Sequence, residues 1–238
     1  VSINSGTQTK AIQKRERVVS ETLEIDVFWS FRSPWSYLAT PRLRQWQEQY
    51  NLKVNFRPVY PIAIRTPEFF HSVHPQWFSY FMTDVFRVAE FLELPFSWPR
   101  PDPVVQFLDD KGLRQSGEDQ PHIARLTRLG VLAEESGRGI EFADEVSALI
   151  WGGTVNWHEG EHLAQATQKA GLDLEELDKQ VIAEADRLEA EIERHQADHE
   201  KAGHWGVPTC AFNGEPFFGQ DRLDVLLWKL NQAGLETR

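Results

Sequence analysis

Two serines three residues apart, Ser33 and Ser36, enclose Pro34 and Trp35 in the stretch SFRSPWSYL. The run before them, IDVFW, alternates apolar and polar residues as a strand does, and ATPRLRQWQEQY after them has helical spacing. A turn between a strand and a helix start offers unpaired N–H groups and the positive end of the helix dipole, a setting that stabilises an anion. A serine cannot exchange disulfides. The one cysteine, Cys210, also excludes a Cys-x-x-Cys pair and any intramolecular disulfide. A serine hydroxyl can, however, donate a hydrogen bond to a thiolate brought by another molecule and lower that thiol's pKa. Glutathione is the obvious external thiol. Taken alone, the two serines are explained at least as well as helix caps.

The elements that must position this turn are legible on either side of it. Leu23 to Phe31 reads as a central strand, and Pro34 suits a first helical turn because it has no N–H to leave unpaired. Lys53 to Tyr60 alternates again and ends at Pro61, so the opening unit is β-α-β with parallel strands. From Thr66 to about Gly203 the pattern is helical, punctuated by Pro95, Pro99, Pro101 and Pro103. Leu174, Leu177, Val181, Ala185, Leu188 and Ile192 mark one face of what reads as a single long acidic helix. The end returns to β structure. Val207 to Phe212 and Glu215 to Phe218 flank Asn213-Gly214, a strong hairpin signal. Asp221 is the expected N-cap of a last helix. The order describes an α/β protein with a thioredoxin-like fold and a large all-helical insertion. The expected division is a flexible tail over 1–22, a thioredoxin-like domain from 23–65 and 204–238, and a helical insertion over 66–203.

Composition narrows the classes. A net charge of −11 disfavours nucleic acid and anionic membrane partners, since neither would meet a basic face. No run approaches a membrane span and the first residues lack a signal-peptide core, so a cytoplasmic location is expected. Ten aromatics between Phe69 and Trp98 fit an apolar pocket for a ring, plain core, or a dimer surface. A homodimer is one arrangement that the sequence allows.

SPWSYLA after a strand resembles the SPYSYLA-type motif of 2-hydroxychromene-2-carboxylate isomerases and kappa-class glutathione transferases, a DsbA-like branch of the thioredoxin fold. The far segments Trp205-Gly-Val-Pro-Thr209 and Gly214 to Leu223, GEPFFGQDRL, resemble the same family in the same order. The resemblance implies that Ser33 activates a glutathione sulfur and that Val207, before a cis Pro208, pairs with the peptide backbone. It also implies that Asp221 and Arg222, with helix N–H groups, hold the γ-glutamyl end, and that Gln220 beside them belongs to the glutathione-binding segment. Read from the residues alone, Trp35 and Tyr37 fit a pocket wall and core packing equally well. Arg65 would stand near the family's ligand-binding lysine, although PVYPIAIR lacks the Gly-Gly usual before that lysine. The expected activity is glutathione-dependent isomerisation of an aromatic, chromene carboxylate-like small molecule. The alternatives are conjugation of glutathione to an electrophile, or a redox-inactive thioredoxin-like module that binds a partner.

Other chemistry-bearing residues are read as structural. His158-Glu-Gly-Glu-His162 matches the H-E-x-x-H zinc signature, but Gly160 weakens the helix it needs, and a capping box from Asn156 to Glu159 is expected instead. His195 and His199 are expected on the solvated face of the acidic helix, and His71 and His74 likewise in solvent. Cys210, in an apolar strand, is expected to be buried and inert.

Overall fold

The computed structural model describes residues 22–238, so the expected tail lies outside the described residues except for Thr22. In chain order the elements are β1 (Leu23–Trp29), α1 (Pro34–Gln49), β2 (Leu52–Pro58), α2 (Ile62–Arg65), α3 (Phe69–Ser72) and α4 (Pro75–Phe91). Then come β3 (Gln106–Leu108), β4 (Arg114–Ser116), α5 (Pro121–Glu135), α6 (Gly139–Trp151), α7 (His162–Lys169), α8 (Leu174–Ala183) and α9 (Ala185–Lys201). The chain ends with β5 (Thr209–Phe212), β6 (Glu215–Phe218), a 3-10 turn (Gln220–Arg222) and α10 (Leu223–Gln232).

β1 sits inside a four-stranded sheet ordered β2-β1-β5-β6, parallel to β2 and antiparallel to β5. Its interior position explains why LEIDVFW thickens toward its end: Val27, Phe28 and Trp29 are all buried. The β5–β6 hairpin turns at Asn213 (φ 50°) and Gly214 (φ 78°), the two left-handed residues that match strand twist in a two-residue loop. Between β2 and β5 the regular elements are helices apart from the β3–β4 hairpin. There the Asp109 carboxylate accepts the Lys111 and Leu113 N–H groups around Gly112 (φ 75°). The intervening helices share the sheet's core. α5 crosses β2 at Gly130, where a Cβ would stand 3.2 Å from the rings of both Phe31 and Phe56.

Three expectations change here. The acidic helix is two helices, broken at Glu184 (φ −121°, ψ 23°), which lies outside helical geometry. His195 and His199 are buried, 4% and 0% exposed, because they continue the inward stripe of Leu188 and Ile192 at the 4-3-4 spacing of a helix face. Asn156 (φ 54°) opens a turn rather than capping a helix, and α7 begins only at His162. His158 and His162 therefore share no helical face, which the zinc signature requires. His74 is exposed and caps α4 by accepting the Gln76 N–H at 3.2 Å; the side chain of His71 lies outside the described residues.

Candidate functional site

β1 ends in a turn closed by the Ser33 N–H donating to the Ser30 carbonyl at 3.0 Å. Ser33 is extended (φ −97°, ψ 116°) and caps α1, its Oγ accepting the Ser36 N–H at 3.1 Å, with Pro34 in the first helical position. Three side chains fix the turn from outside. Trp151 Nε1 donates to the Phe31 carbonyl at 3.0 Å, and the Tyr37 hydroxyl donates to the Pro95 carbonyl at 2.6 Å. Arg32 donates to both carboxylate oxygens of Asp102 at 2.8 Å and to Gln106 Oε1 at 2.7 Å. Ser36 is fully buried and among the described residues its hydroxyl has no hydrogen-bond partner, so of the two serines only the half-buried Ser33 faces a site.

What Ser33 faces is the loop before β5. The Val207–Pro208 peptide is cis, and the Ser33 hydroxyl donates to the Val207 carbonyl at 3.2 Å. Thr209 Oγ1 donates to the Gly206 carbonyl at 2.6 Å, and the Gly219 N–H donates to the Pro208 carbonyl at 2.9 Å. A Cβ on Gly206 would fall 2.4 Å from the Phe218 ring, so only glycine fits there. The His204 ring lies on Phe218 with centroids 3.9 Å apart and accepts the Gly206 N–H on Nδ1 at 2.9 Å. That bond leaves the proton on Nε2, and burial pulls the His204 pKa down.

Arg65 lies beside this loop and is already engaged. Its Nε donates to the Tyr60 carbonyl at 2.6 Å and its Nη2 to the Trp205 carbonyl at 2.9 Å. It thus ties the end of β2 to the cis-proline loop. Beneath the loop His199 stacks on Phe28 at 4.7 Å, and among the described residues neither of its ring nitrogens meets a partner at hydrogen-bonding geometry. Burial and the Arg65 charge hold its pKa at about 4, the Gly206 backbone opposing them. Cys210, one strand position into the sheet, is buried, which pushes its thiol up to about 12.

Beyond Gly219 (φ 98°) the 3-10 turn carries Gln220, half-buried, and Asp221 and Arg222, both exposed. Asp221 does not cap α10. Its carboxylate folds back over Gly219 and pairs with Arg222 at 2.8 Å, and α10 starts without a side-chain cap. The remaining wall is aromatic. Trp35 meets Phe81 edge-on at 5.9 Å, Phe81 stacks on Trp77 at 5.2 Å, Trp77 meets Phe69 at 5.9 Å, and Phe69 meets Trp205 at 5.0 Å. This arc leaves the chain two residues after Ser33 and rejoins it two residues before Val207.

The structure therefore brings Ser33, Trp35, Val207, Pro208 and Arg65 to one face, with Arg65 bound to backbone carbonyls. Arg32, His199 and His204 belong to the same region and escaped the sequence reading. For Arg32 the signal was adjacency to Ser33, and for His199 the apolar stripe it extends.

Compared by sequence with curated proteins, the chain matches none. A structure of 2-hydroxychromene-2-carboxylate isomerase superposes with a TM-score of 0.65 at 18% identity, covering 89% of this chain and 96% of that one. A probable DsbA oxidoreductase from Streptomyces coelicolor gives 0.60 at 17%, covering 89% of each chain. The cytosolic disulfide reductase DsbM from Pseudomonas aeruginosa, in a structure with GSH, gives 0.53 at 17%, covering 88% of this chain and all of that one. These likenesses establish a shared fold. The DSBA-like thioredoxin domain matches residues 24–231, the whole sheet and nearly all the helices, and the chain belongs to that family.

Proposed function

We propose that this protein is a glutathione-dependent enzyme that isomerises an aromatic, conjugated carboxylate, with Ser33 activating the sulfur of the bound tripeptide. The observation that carries the reading is the Ser33 hydroxyl at the N-terminus of α1, 3.2 Å from the carbonyl before a cis proline. A sulfur lodged between them would receive the Ser33 hydrogen bond and the helix dipole together. The hydroxyl would exchange the Val207 carbonyl for the thiolate as its acceptor. Among the described residues the Val207 N–H has no acceptor and is available to the peptide.

The chemistry needs no oxidant. The thiolate adds to a conjugated carbon, and the former double bond becomes a single bond that can rotate. Elimination of the same sulfur then restores the double bond in its new geometry and returns the thiol. The protein contributes orientation and a stabilised thiolate, and the Trp35 to Trp205 arc offers ring faces to an aromatic substrate. Conjugation, in which the sulfur stays on the product, uses the same site and differs only in whether free glutathione is consumed. Thiol-disulfide exchange by the protein itself would need a second reactive thiol, and the sequence holds only Cys210.

The deciding experiment is calorimetric titration of reduced glutathione into the protein and into Ser33→Ala. Saturable binding, with a thiolate absorbance that the variant loses, is expected. Absence of binding at millimolar ligand would direct attention to a partner-binding role beside Pro208.

A further inference from the structure

Arg32 lies in the Ser33 turn, Arg65 beside the loop that faces it and Arg222 in the 3-10 turn beyond that loop, and their partners differ. Arg32 is neutralised by both oxygens of Asp102, and Arg222 by Asp221. Arg65 donates only to two backbone carbonyls, and among the described residues no carboxylate lies within ion-pairing reach of it. The acidic group that acts on it, Glu200, is exposed on α9 and does so from beyond ion-pair distance. A guanidinium bonded to carbonyls keeps its whole charge. The imidazole of His199 feels the Arg65 charge and that of His204 lies next to it, and burial reduces the proton affinity of both. On a chain of net charge −11, an anion at the turn depends on local positive sources, and of these three arginines Arg65 is the one that no carboxylate among the described residues pairs with.

We propose that Arg65 supplies the uncompensated positive charge that stabilises an anionic sulfur at Ser33, acting through the cis-proline loop rather than by touching the ligand. Its bond to the Trp205 carbonyl holds that charge two residues from Val207, whose own carbonyl meets Ser33. Arg65 is thus a positioning residue with a field. Its role differs from that of a brace, and the difference can be measured.

The inference rests on the reading that a sulfur occupies the turn, and the test separates the two. Ser33→Cys places a thiol at the N-terminus of α1. Cys210 is buried, so iodoacetamide reports the new thiol alone. The pH dependence of alkylation is then measured in the Ser33→Cys protein and after adding Arg65→Lys or Arg65→Gln. Lysine keeps the charge, whereas glutamine keeps an N–H donor for the carbonyls without it. The expected result is that Arg65→Gln raises the thiol's pKa by about one unit and Arg65→Lys leaves it nearly unchanged. An unchanged titration in the glutamine variant, or an equal rise in both, overturns the proposal. Should the glutamine variant fail to fold, the lysine variant decides: an unshifted thiol supports the field and a raised one favours the brace. If the parent protein fails to bind glutathione while the thiol follows the charge at 65, the proposed function falls and this inference stands.

Discussion

The Ser33 hydroxyl and the Val207 carbonyl, 174 residues apart in sequence, are joined by a 3.2 Å hydrogen bond. That bond fixes the distance between the helix that would stabilise an anion and the loop that would hold its peptide. Ser33 also accepts the Ser36 N–H, so its removal costs a cap as well as a donor. Ser33→Ala is expected to lose about 1 kcal/mol of stability. Glutathione-dependent turnover should fall by about a hundredfold, the scale set by losing one preorganised donor. Thermal melts and turnover measured on the same samples separate the two effects. A variant that loses stability but keeps its rate would leave Ser33 only as a cap.

Trp205 is 51% exposed and closes the aromatic arc through its contact with Phe69. In Trp205→Ala the KM for an aromatic electrophile such as chlorodinitrobenzene should rise about tenfold, as expected for one lost ring contact. The KM for an aliphatic enal should change little, and glutathione affinity should hold. Equal effects on both electrophiles would place Trp205 in the scaffold rather than in the pocket.

Arg32 and Asp102 form a bidentate pair at the mouth of the turn, with side chains 19% and 42% exposed. Solvent reaches the carboxylate, so Asp102→Asn should cost only about 1 kcal/mol. The same change frees the Arg32 charge next to residue 33. The alkylation of a Ser33→Cys thiol should therefore shift to lower pH, opposite in sign to Arg65→Gln. A shift in the other direction would show that loop rearrangement outweighs the charge.

His199 makes the protein acid-sensitive. Its pKa, held at about 4, lies below the ordinary 6.5, so the unfolded chain takes up the proton first. Stability is present above pH 6.5 and is lost as pH falls toward 4, by about 3 kcal/mol in total. His195, also held down by burial, acts in the same direction. His199→Phe keeps a ring against Phe28 and removes the proton site. Its denaturation midpoint should vary less with pH across this window than that of the parent. An unaltered slope would assign the acid sensitivity to other groups.

The sequence carried the frame because its signals are local. Asn213-Gly214, Pro34 after Ser33, and the alternation in Leu23 to Trp29 each specify a conformation within a few residues, and each is realised. The cis Val207–Pro208 bond matches the family motif. What stayed hidden depends on partners far along the chain. Sequence alone leaves Arg65 open to a ligand because the carbonyl it binds, on Trp205, is 140 residues away. The acidic residues around His199 read as a solvated face, yet the 4-3-4 stripe through Leu188, Ile192 and His195 points inward. Asp221 looked like a cap because aspartate usually is one. The left-handed Gly219 leads instead into a 3-10 turn, where the carboxylate pairs with its neighbour Arg222.

The burial of Cys210 has a consequence for how such a protein would age. Its one thiol is sealed within the sheet, and the turn where chemistry would occur carries hydroxyls. Any sulfur that reacts there arrives with the ligand and leaves with it. Peroxide would spoil the exchangeable tripeptide and spare the catalyst, so fresh reduced ligand and simple dialysis should restore activity that a thiol enzyme loses for good once its cysteine reaches the sulfinic or sulfonic acid.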